Sequence, residues 1–260
     1  MTIYEDLKGK VVLITGAAGG IGSVTARTFL AQGCKLALVD WADQPLAKVV
    51  ADLGAPEGTV ISCKADVAQE ADVKAYVDAT VAAFGTIDVF FNNAGVEGKV
   101  APLHDQDMAD VDRLLGINLR GVFMGLKYVL PVMYAHKSGS VINTSSQAGL
   151  SGASGGLSPY ITSKFAVRGM THVASSEAAP YNVRVNSVHP SAVNTMMMRR
   201  IEEGYAPGAG ADAIADFAAG IPMGRYAEAQ DIANAVVFLA ADASSFITGT
   251  ELRVDGGAVN

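Results

Sequence analysis

Short, uninterrupted apolar runs recur along the chain, each ending in a small or polar residue and most separated from the next by an amphipathic stretch. Val11-Val-Leu-Ile-Thr15 is the first, followed by Lys35 to Asp40, Val60 to Lys64, Val89 to Asn92, Ser140 to Thr144 and Arg184 to His189. A strand that is apolar at nearly every position has both faces buried, whereas a half-exposed strand alternates. Such strands, separated by helices, predict an α/β fold: a doubly wound parallel sheet with helices on both faces and a ligand site at the carboxyl ends of its strands. A helix is predicted over Ser23 to Ala31 and another from near Ala42; near the end, Ala235 to Ala241 reads as a helix and Phe246 to Val254 as a closing strand. No Pro/Ser-rich linker, repeat or composition break divides the 260 residues, so one domain over 1–260 is expected.

Between the first strand and its helix lies Thr15-Gly16-Ala-Ala-Gly19-Gly20-Ile21-Gly22. Without Cβ atoms this loop lets a phosphate approach the backbone, and the unpaired N–H groups and positive dipole end of the following helix favour an anion. Gly16, Gly19, Gly20, Ile21 and Gly22 are therefore candidate ligands for the pyrophosphate of a dinucleotide, although a tight strand-to-helix turn accounts for the same residues without a ligand. The second strand ends at Asp40, where a carboxylate accepts hydrogen bonds from an adenosine ribose and repels an added 2′-phosphate. No Arg or Lys in the loop offsets that repulsion, so NAD is expected in preference to NADP. The competing role for Asp40 is to cap the helix near Ala42. Asp66, followed by Val67, has capping-box spacing to Gln69. Asn92-Asn93-Ala94-Gly95 closes a strand with small and amide residues, suited to bracing neighbouring strands and lining a ribose, or to a plain turn.

Tyr160 and Lys164 lie four residues apart and so share one helix face. A tyrosine hydroxyl titrating near 10 is a poor acid or base at neutral pH, and a neighbouring ammonium favours the phenolate. The pair is thus a candidate acid/base unit; an exposed polar helix face is the structural alternative. Upstream, Asn143-Thr-Ser145-Ser146 ends a strand where a hydroxyl can reach a substrate oxygen, and Asn118 sits in an apolar helical run where an amide calls for a specific partner.

The net charge of −7 argues against a nucleic-acid-binding surface. The N-terminus is acidic and polar where a leader would be basic and then apolar, and no apolar run approaches bilayer length, so no membrane association is expected. Cys34 and Cys63 sit in apolar strand-like contexts without disulfide or metal spacing, which fits a reducing cytoplasm. His104, His136, His172 and His189 are scattered, and no catalytic metal is expected.

Across essentially the whole chain these motifs, with Pro190 to Thr195 and the closing Val254-Asp255-Gly256-Gly257, resemble in order those of the short-chain dehydrogenases/reductases. The resemblance implies a single Rossmann-like domain with a seven-stranded parallel sheet, NAD-linked hydride transfer between nicotinamide and a carbinol carbon, and usually a tetramer. It implies Tyr160 as acid/base, Lys164 on the nicotinamide ribose and depressing the tyrosine pKa, Ser146 orienting the substrate oxygen, and Asn118 holding a water that links Lys164 to solvent. It further implies Asp66 and Val67 at the adenine, Asn93, Ala94 and Gly95 along the nucleoside, and Pro190, Val193 and Thr195 near the nicotinamide amide.

Two departures stand out. Ser146 lies 14 residues before Tyr160, one more than is common in the family, which keeps Ser145 as a substitute, and Ser191 follows Pro190 where the family usually has glycine. The family places its substrate lid at about 195–220. Here that segment carries Met196-Met197-Met198, Arg199 and Arg200, and Met197 and Met198 suggest an apolar alicyclic or aromatic secondary alcohol or its ketone; packing of the methionines into the core is the alternative. A dinucleotide-sensing regulatory protein on the same fold is the competing function, but such proteins usually lack the Tyr or the Lys. An epimerase or dehydratase would need a larger C-terminal substrate domain, and an enoyl reductase would place six residues between Tyr and Lys where this chain has three.

Overall fold

Seven parallel strands form one sheet in the order β3-β2-β1-β4-β5-β6-β7 in the computed structural model, which describes residues 2–151 and 155–259. They are β1 (Val11–Thr15), β2 (Lys35–Asp40), β3 (Val60–Lys64), β4 (Val89–Asn92), β5 (Gly139–Thr144), β6 (Val183–Pro190) and β7 (Glu251–Val254). The register runs from Val12 beside Leu36 on one side and Val89 on the other to Pro190 beside Val254 at the far edge. Because β1 pairs with both β2 and β4, chain order reverses between β1 and β4, and a crevice opens above their carboxyl ends.

Alternate residues of each strand enter two different cores. Val12, Ile14, Leu36 and Leu38 pack under α1 (Gly20–Ala31), α2 (Asp43–Leu53) and a later helix, Ala229–Ala240, through Phe29, Leu46 and Val236. Leu13, Ala37, Val39 and Phe90 face α3 (Glu70–Phe84), a helix over Val122–His136 and another over Ser158–Ala178, through Tyr76, Met133 and Val167. Burial on both faces is why the central strands carry no polar alternation, while the edge strands β3 and β7 are partly exposed.

The remaining helices, in chain order, are α4 (Met108–Leu115), α5 (Val122–His136), α6 (Ala148–Ser151), α7 (Ser158–Ala178), α8 (Met196–Tyr205), α9 (Ala211–Ala219) and α10 (Ala229–Ala240). Three expectations need correction. The first helix starts at Gly20, not Ser23, so the glycines belong to its first turn. The last helix starts at Ala229, where Glu228 and Asp231 form a reciprocal capping box that apolar periodicity does not reveal. The closing strand is only Glu251–Val254, because Gly249, with φ of +73°, turns the chain just before it.

Candidate active site

The crevice above β1, β4 and β5 is a cleft of about 1610 Å³. That exceeds the roughly 300–1,000 Å³ of an ordinary small-molecule pocket and leaves room for a dinucleotide together with a second ligand. Of the residues assigned a catalytic, cofactor or substrate role from the sequence, all line it except Asn118.

The glycine loop forms the floor. Gly16 adopts φ of +67°, and a Cβ there would lie 3.0 Å from Ala94 Cα. Gly22 packs so closely on the loop that a Cβ would sit 2.1 Å from the Gly16 carbonyl oxygen, and at Gly20 it would meet the Thr195 methyl at 2.7 Å. The α1 ladder opens with Ser23 N–H donating to Gly19 O at 2.9 Å, so the N–H groups of Gly20, Ile21 and Gly22 stand ahead of it and no acidic side chain lies in this turn. Asp40, 8% exposed, accepts from Ala18 N–H (2.9 Å) and Ala42 N–H (3.0 Å). It fastens the loop to the end of β2, and α2 starts at Asp43 without a side-chain cap, which removes the helix-cap alternative. Asp66 likewise is no helix cap: it accepts from Ala68 N–H (2.9 Å), and α3 starts later, after Gln69.

Asn93 ties the strand ends together. Its backbone N–H and that of Ala94 donate to Thr15 Oγ1 at 3.0 and 3.1 Å, its side-chain Nδ2 donates to Thr15 O (3.1 Å), and its side-chain Oδ1 accepts from Thr144 Oγ1 (3.2 Å). Behind it, Asn92, Asn143 and Thr171 form a buried polar chain joining β4, β5 and α7, in which Thr171 is the member not read from the sequence. Thr195 caps α8, Val193 is buried and bridges to Ala227, and Pro190, which ends β6, lines the cleft with them.

Tyr160 and Lys164 share the cleft-facing side of α7. Lys164 is buried; its Nζ donates to Thr144 O at 2.9 Å and lies 5.5 Å from the Tyr160 ring centroid. Ser146 Oγ accepts from Ala148 N–H (3.1 Å), whereas Ser145 Oγ donates to Lys164 O (2.9 Å). Ser145 is thereby committed to bracing α7 and is not the free hydroxyl. Three residues of the segment between Ser146 and Tyr160, 152–154, lie outside the described residues.

Asn118 lies behind the wall on a π-helical turn, Gly116–Gly121, between α4 and α5. Both ends of its fully buried amide engage Val96: N–H of Val96 donates to Oδ1, and Nδ2 donates to Val96 O, both at 2.8 Å. Its amide also donates to Ser163 Oγ at 3.3 Å. Such turns often mark functional sites, and an apolar run with one amide does not announce one.

The electrostatics correct one expectation. Burial pushes the Lys164 ammonium down to about 8 from an ordinary 10.5. Burial also pushes the Tyr160 phenol up, the Ser146 hydroxyl pulls it down and the Glu97 carboxylate pushes it up again. The phenol ring is partly open to the cleft, but its hydroxyl lies deep enough for desolvation to dominate. Lys164, turned to the Thr144 carbonyl, does not by itself make the tyrosine acidic. Since Lys164 sheds its proton more readily in the folded chain, its burial penalty is full below about pH 8 and disappears as the pH rises towards 10.5, so this group adds stability over that interval. Carbon-detected titration of labelled lysines is expected to show one resonance with a midpoint near 8 that Lys164→Met removes; uniform midpoints near 10.5 would contradict it.

The lid segment folds as α8 and α9. Met196 is exposed and Met197 half-buried towards the cleft, but Met198 packs with Ile221 and Tyr226 in a small core of its own. For Met198 the core alternative holds, although its edge still touches the cleft. Two lining groups went unread in the sequence. Glu97, 9% exposed, pairs with Arg200 through Nε and through Nη2 (3.4 Å), tying the loop after β4 to α8 across 103 residues. The second is Gln147, beside Ser146. His189, fully buried, is satisfied by Ser187 Oγ (2.8 Å) and the Ser146 carbonyl (3.0 Å).

A family model described as enoyl-(acyl carrier protein) reductase matches residues 16–259. Levodione reductase of Leifsonia aquatica is 41% identical over 250 residues, covering 95% of this chain and 93% of its own length. Cyclohexanol dehydrogenase of Acinetobacter sp. (strain SE19) is 35% identical, covering 97% and 96%. The crystal structure of NAD⁺-bound xylitol dehydrogenase superposes with a TM-score of 0.91 at 36% identity, covering 96% of this chain and 99% of that one.

Proposed function

The chain belongs to the short-chain dehydrogenase/reductase family, and from that membership we propose that the cleft takes NAD along the glycine loop and an apolar alicyclic or aromatic secondary alcohol beside Tyr160. The enzyme is an NAD(H)-dependent oxidoreductase that interconverts secondary alcohols and ketones. Enoyl reduction is not favoured, because three residues, not six, separate Tyr160 from Lys164.

The observation that carries this reading is the convergence, in one cleft, of a side-chain-free cradle at a helix N-terminus with the Ser146, Tyr160 and Lys164 cluster. The residues fit the dinucleotide: Gly20, Ile21 and Gly22 present N–H groups to a pyrophosphate, and Asp40 sits where the adenosine ribose ends. Asp66 and Val67 would flank the adenine, and the backbone of Asn93, Ala94 and Gly95 the nucleoside. Pro190, Val193 and Thr195 would border the nicotinamide amide, and Lys164 would hold its ribose. When bound, the oxidised nicotinamide supplies a hydride acceptor and a positive charge.

Ser146 holds the substrate oxygen, and Tyr160 takes the alcohol proton during oxidation and returns it during ketone reduction. Burial opposes the ionised phenol, and the positive charge of a bound oxidised nicotinamide would favour it. Asn118, by gripping Val96 at both backbone atoms, holds Gly95 close beside Lys164, and a water on this amide would connect the lysine to solvent. Residues 195–220 act as the lid, with Met197 against the substrate. A homotetramer in the cytoplasm completes the reading. It is supported by the exposed apolar side chains Phe123, Phe165 and Val173 on α5 and α7 and Phe246 near β7, and by two free thiols, of which Cys34 is buried and pushed up to about 12 by its desolvation.

Incubation with NAD⁺ and cyclic, aromatic and steroid alcohols tests the function: NADH absorbance should appear with alicyclic or aromatic members, and NAD⁺ binding without turnover of any alcohol would favour the sensor reading. Asp40→Ala is expected to lower the ratio of kcat/KM with NAD to that with NADP by about 10²-fold, since a like-charge contact with the 2′-phosphate disappears. An unchanged ratio would confine Asp40 to bracing Ala18 and Ala42.

A further inference from the structure

We infer that His189 is a positioning residue for Ser146: its imidazole, buried behind the cleft, holds the Ser146 main chain and so fixes where the Ser146 hydroxyl meets the substrate oxygen. The inference rests on the alcohol-dehydrogenase reading and deepens it. Ser146 lies just past the end of β5, yet its neighbours are still tied to β6, Ser145 N–H donating to Val188 O (2.9 Å) and Gln147 N–H to Pro190 O (2.8 Å). Pro190 has no N–H with which to return a bond. His189, between those two acceptors, supplies one from its side chain, Nδ1 donating to Ser146 O at 3.0 Å. The same carbonyl accepts from Gly149 N–H (2.9 Å), and Ser146 Oγ accepts from Ala148 N–H (3.1 Å). The hydroxyl therefore turns about a main chain that is held still.

The partners fix the tautomer of the ring. A carbonyl oxygen only accepts, so Nδ1 carries the proton, and Nε2, 2.8 Å from Ser187 Oγ, accepts from that hydroxyl. The ring is fully buried. Burial keeps it neutral, aided by Lys164 and Arg168 of α7 and opposed by the Ser146 carbonyl and by Glu251 of β7. Both ring bonds are complete without charge or ligand, which makes His189 a fixture and not a proton carrier. A leucine would fill the space equally well; what the imidazole adds is one donor aimed at the residue that meets the substrate. Removing that donor costs the fold little, since Ser146 O keeps Gly149 N–H and the Ser187 hydroxyl can turn to Thr250 O at 3.4 Å.

Nitrogen-resolved spectra of histidine-labelled wild type should show one ring, absent in His189→Asn, that is protonated at Nδ1 with Nε2 as acceptor; protonation at Nε2 would overturn the inference. His189→Leu is expected to lower kcat/KM for a turned-over alcohol by about tenfold while NAD⁺ affinity stays near that of wild type. His189→Asn, whose amide can stand in for Nδ1, should recover most of that loss, and in a Ser146→Ala background His189→Leu should cost little further. Equal losses in the Leu and Asn variants, or an undiminished loss in the Ser146→Ala background, mark a purely structural role and overturn it, as does full activity in His189→Leu. If His189→Leu does not fold, His189→Gln, whose longer amide reaches for Ser187 and not for Ser146, takes its place with the same expectations. Should wild type oxidise no alcohol, the alcohol-dehydrogenase reading fails by itself, and the variants are read instead on the Tyr160 phenol, which faces Ser146, Glu97 and Lys164. Its titration in tyrosine-labelled protein should move up in His189→Leu, where the pull of the Ser146 hydroxyl weakens, and stay at the wild-type position in His189→Asn. No movement in His189→Leu overturns the inference.

Discussion

Tyr160→Phe should lower kcat for NADH formation by about 10³-fold, with NAD⁺ affinity and melting temperature close to those of wild type. The substitution removes one oxygen and keeps the ring, whose packing against α7 and the Lys164 side chain does not involve the hydroxyl. Among the described residues no backbone group is bonded to that hydroxyl, whose partner is the Ser146 side chain, so the variant separates proton transfer from folding. Stopped-flow absorbance with a turned-over alcohol, alongside NAD⁺ titration by calorimetry, separates the two effects. Activity within a factor of a few of wild type would remove Tyr160 from the acid/base role.

Gly22→Ala is expected to cost both the cofactor site and stability. A methyl at this position would sit 2.1 Å from the Gly16 carbonyl oxygen and 2.9 Å from Ala17 Cα, both main-chain atoms that cannot swing away. The loop must open or α1 must back off, and either moves the N–H groups of Gly20 and Ile21 from a pyrophosphate. Overpacking of this kind costs about 1–3 kcal/mol, which in a chain of this size lowers the melting temperature by roughly 5 °C. NAD⁺ affinity should fall by about 10²-fold, because those N–H groups act as a preorganised set. Calorimetric Kd and a thermal melt check both. Unchanged affinity would show that the cradle does not bind the dinucleotide.

The strands were legible because a sheet buried on both faces leaves no position for a polar residue, so Val11–Thr15 and Val89–Asn92 appear as apolar runs with sharp ends. The glycine loop and the Tyr160–Lys164 pair were legible because their spacing is local: one turn of loop and one turn of helix bring the groups together without reference to the rest of the chain. Glu97 and Arg200 meet only through the tertiary fold, and neither position looks unusual in its own neighbourhood. The upward push on Tyr160 was missed for a similar reason, since proximity of an amine can be read from spacing but desolvation cannot. Met198 shows the same limit: helical periodicity places it on α8 but does not say whether its face meets Ile221 or a ligand.

Co-crystallisation with NAD⁺ tests the central claim most directly. The account predicts the pyrophosphate on the N–H groups of Gly20 to Gly22, the adenosine ribose at Asp40, and the nicotinamide beside Tyr160 and Lys164 with Ser146 across from it. Electron density for the dinucleotide outside this cleft, or a nicotinamide directed away from Tyr160, would contradict it.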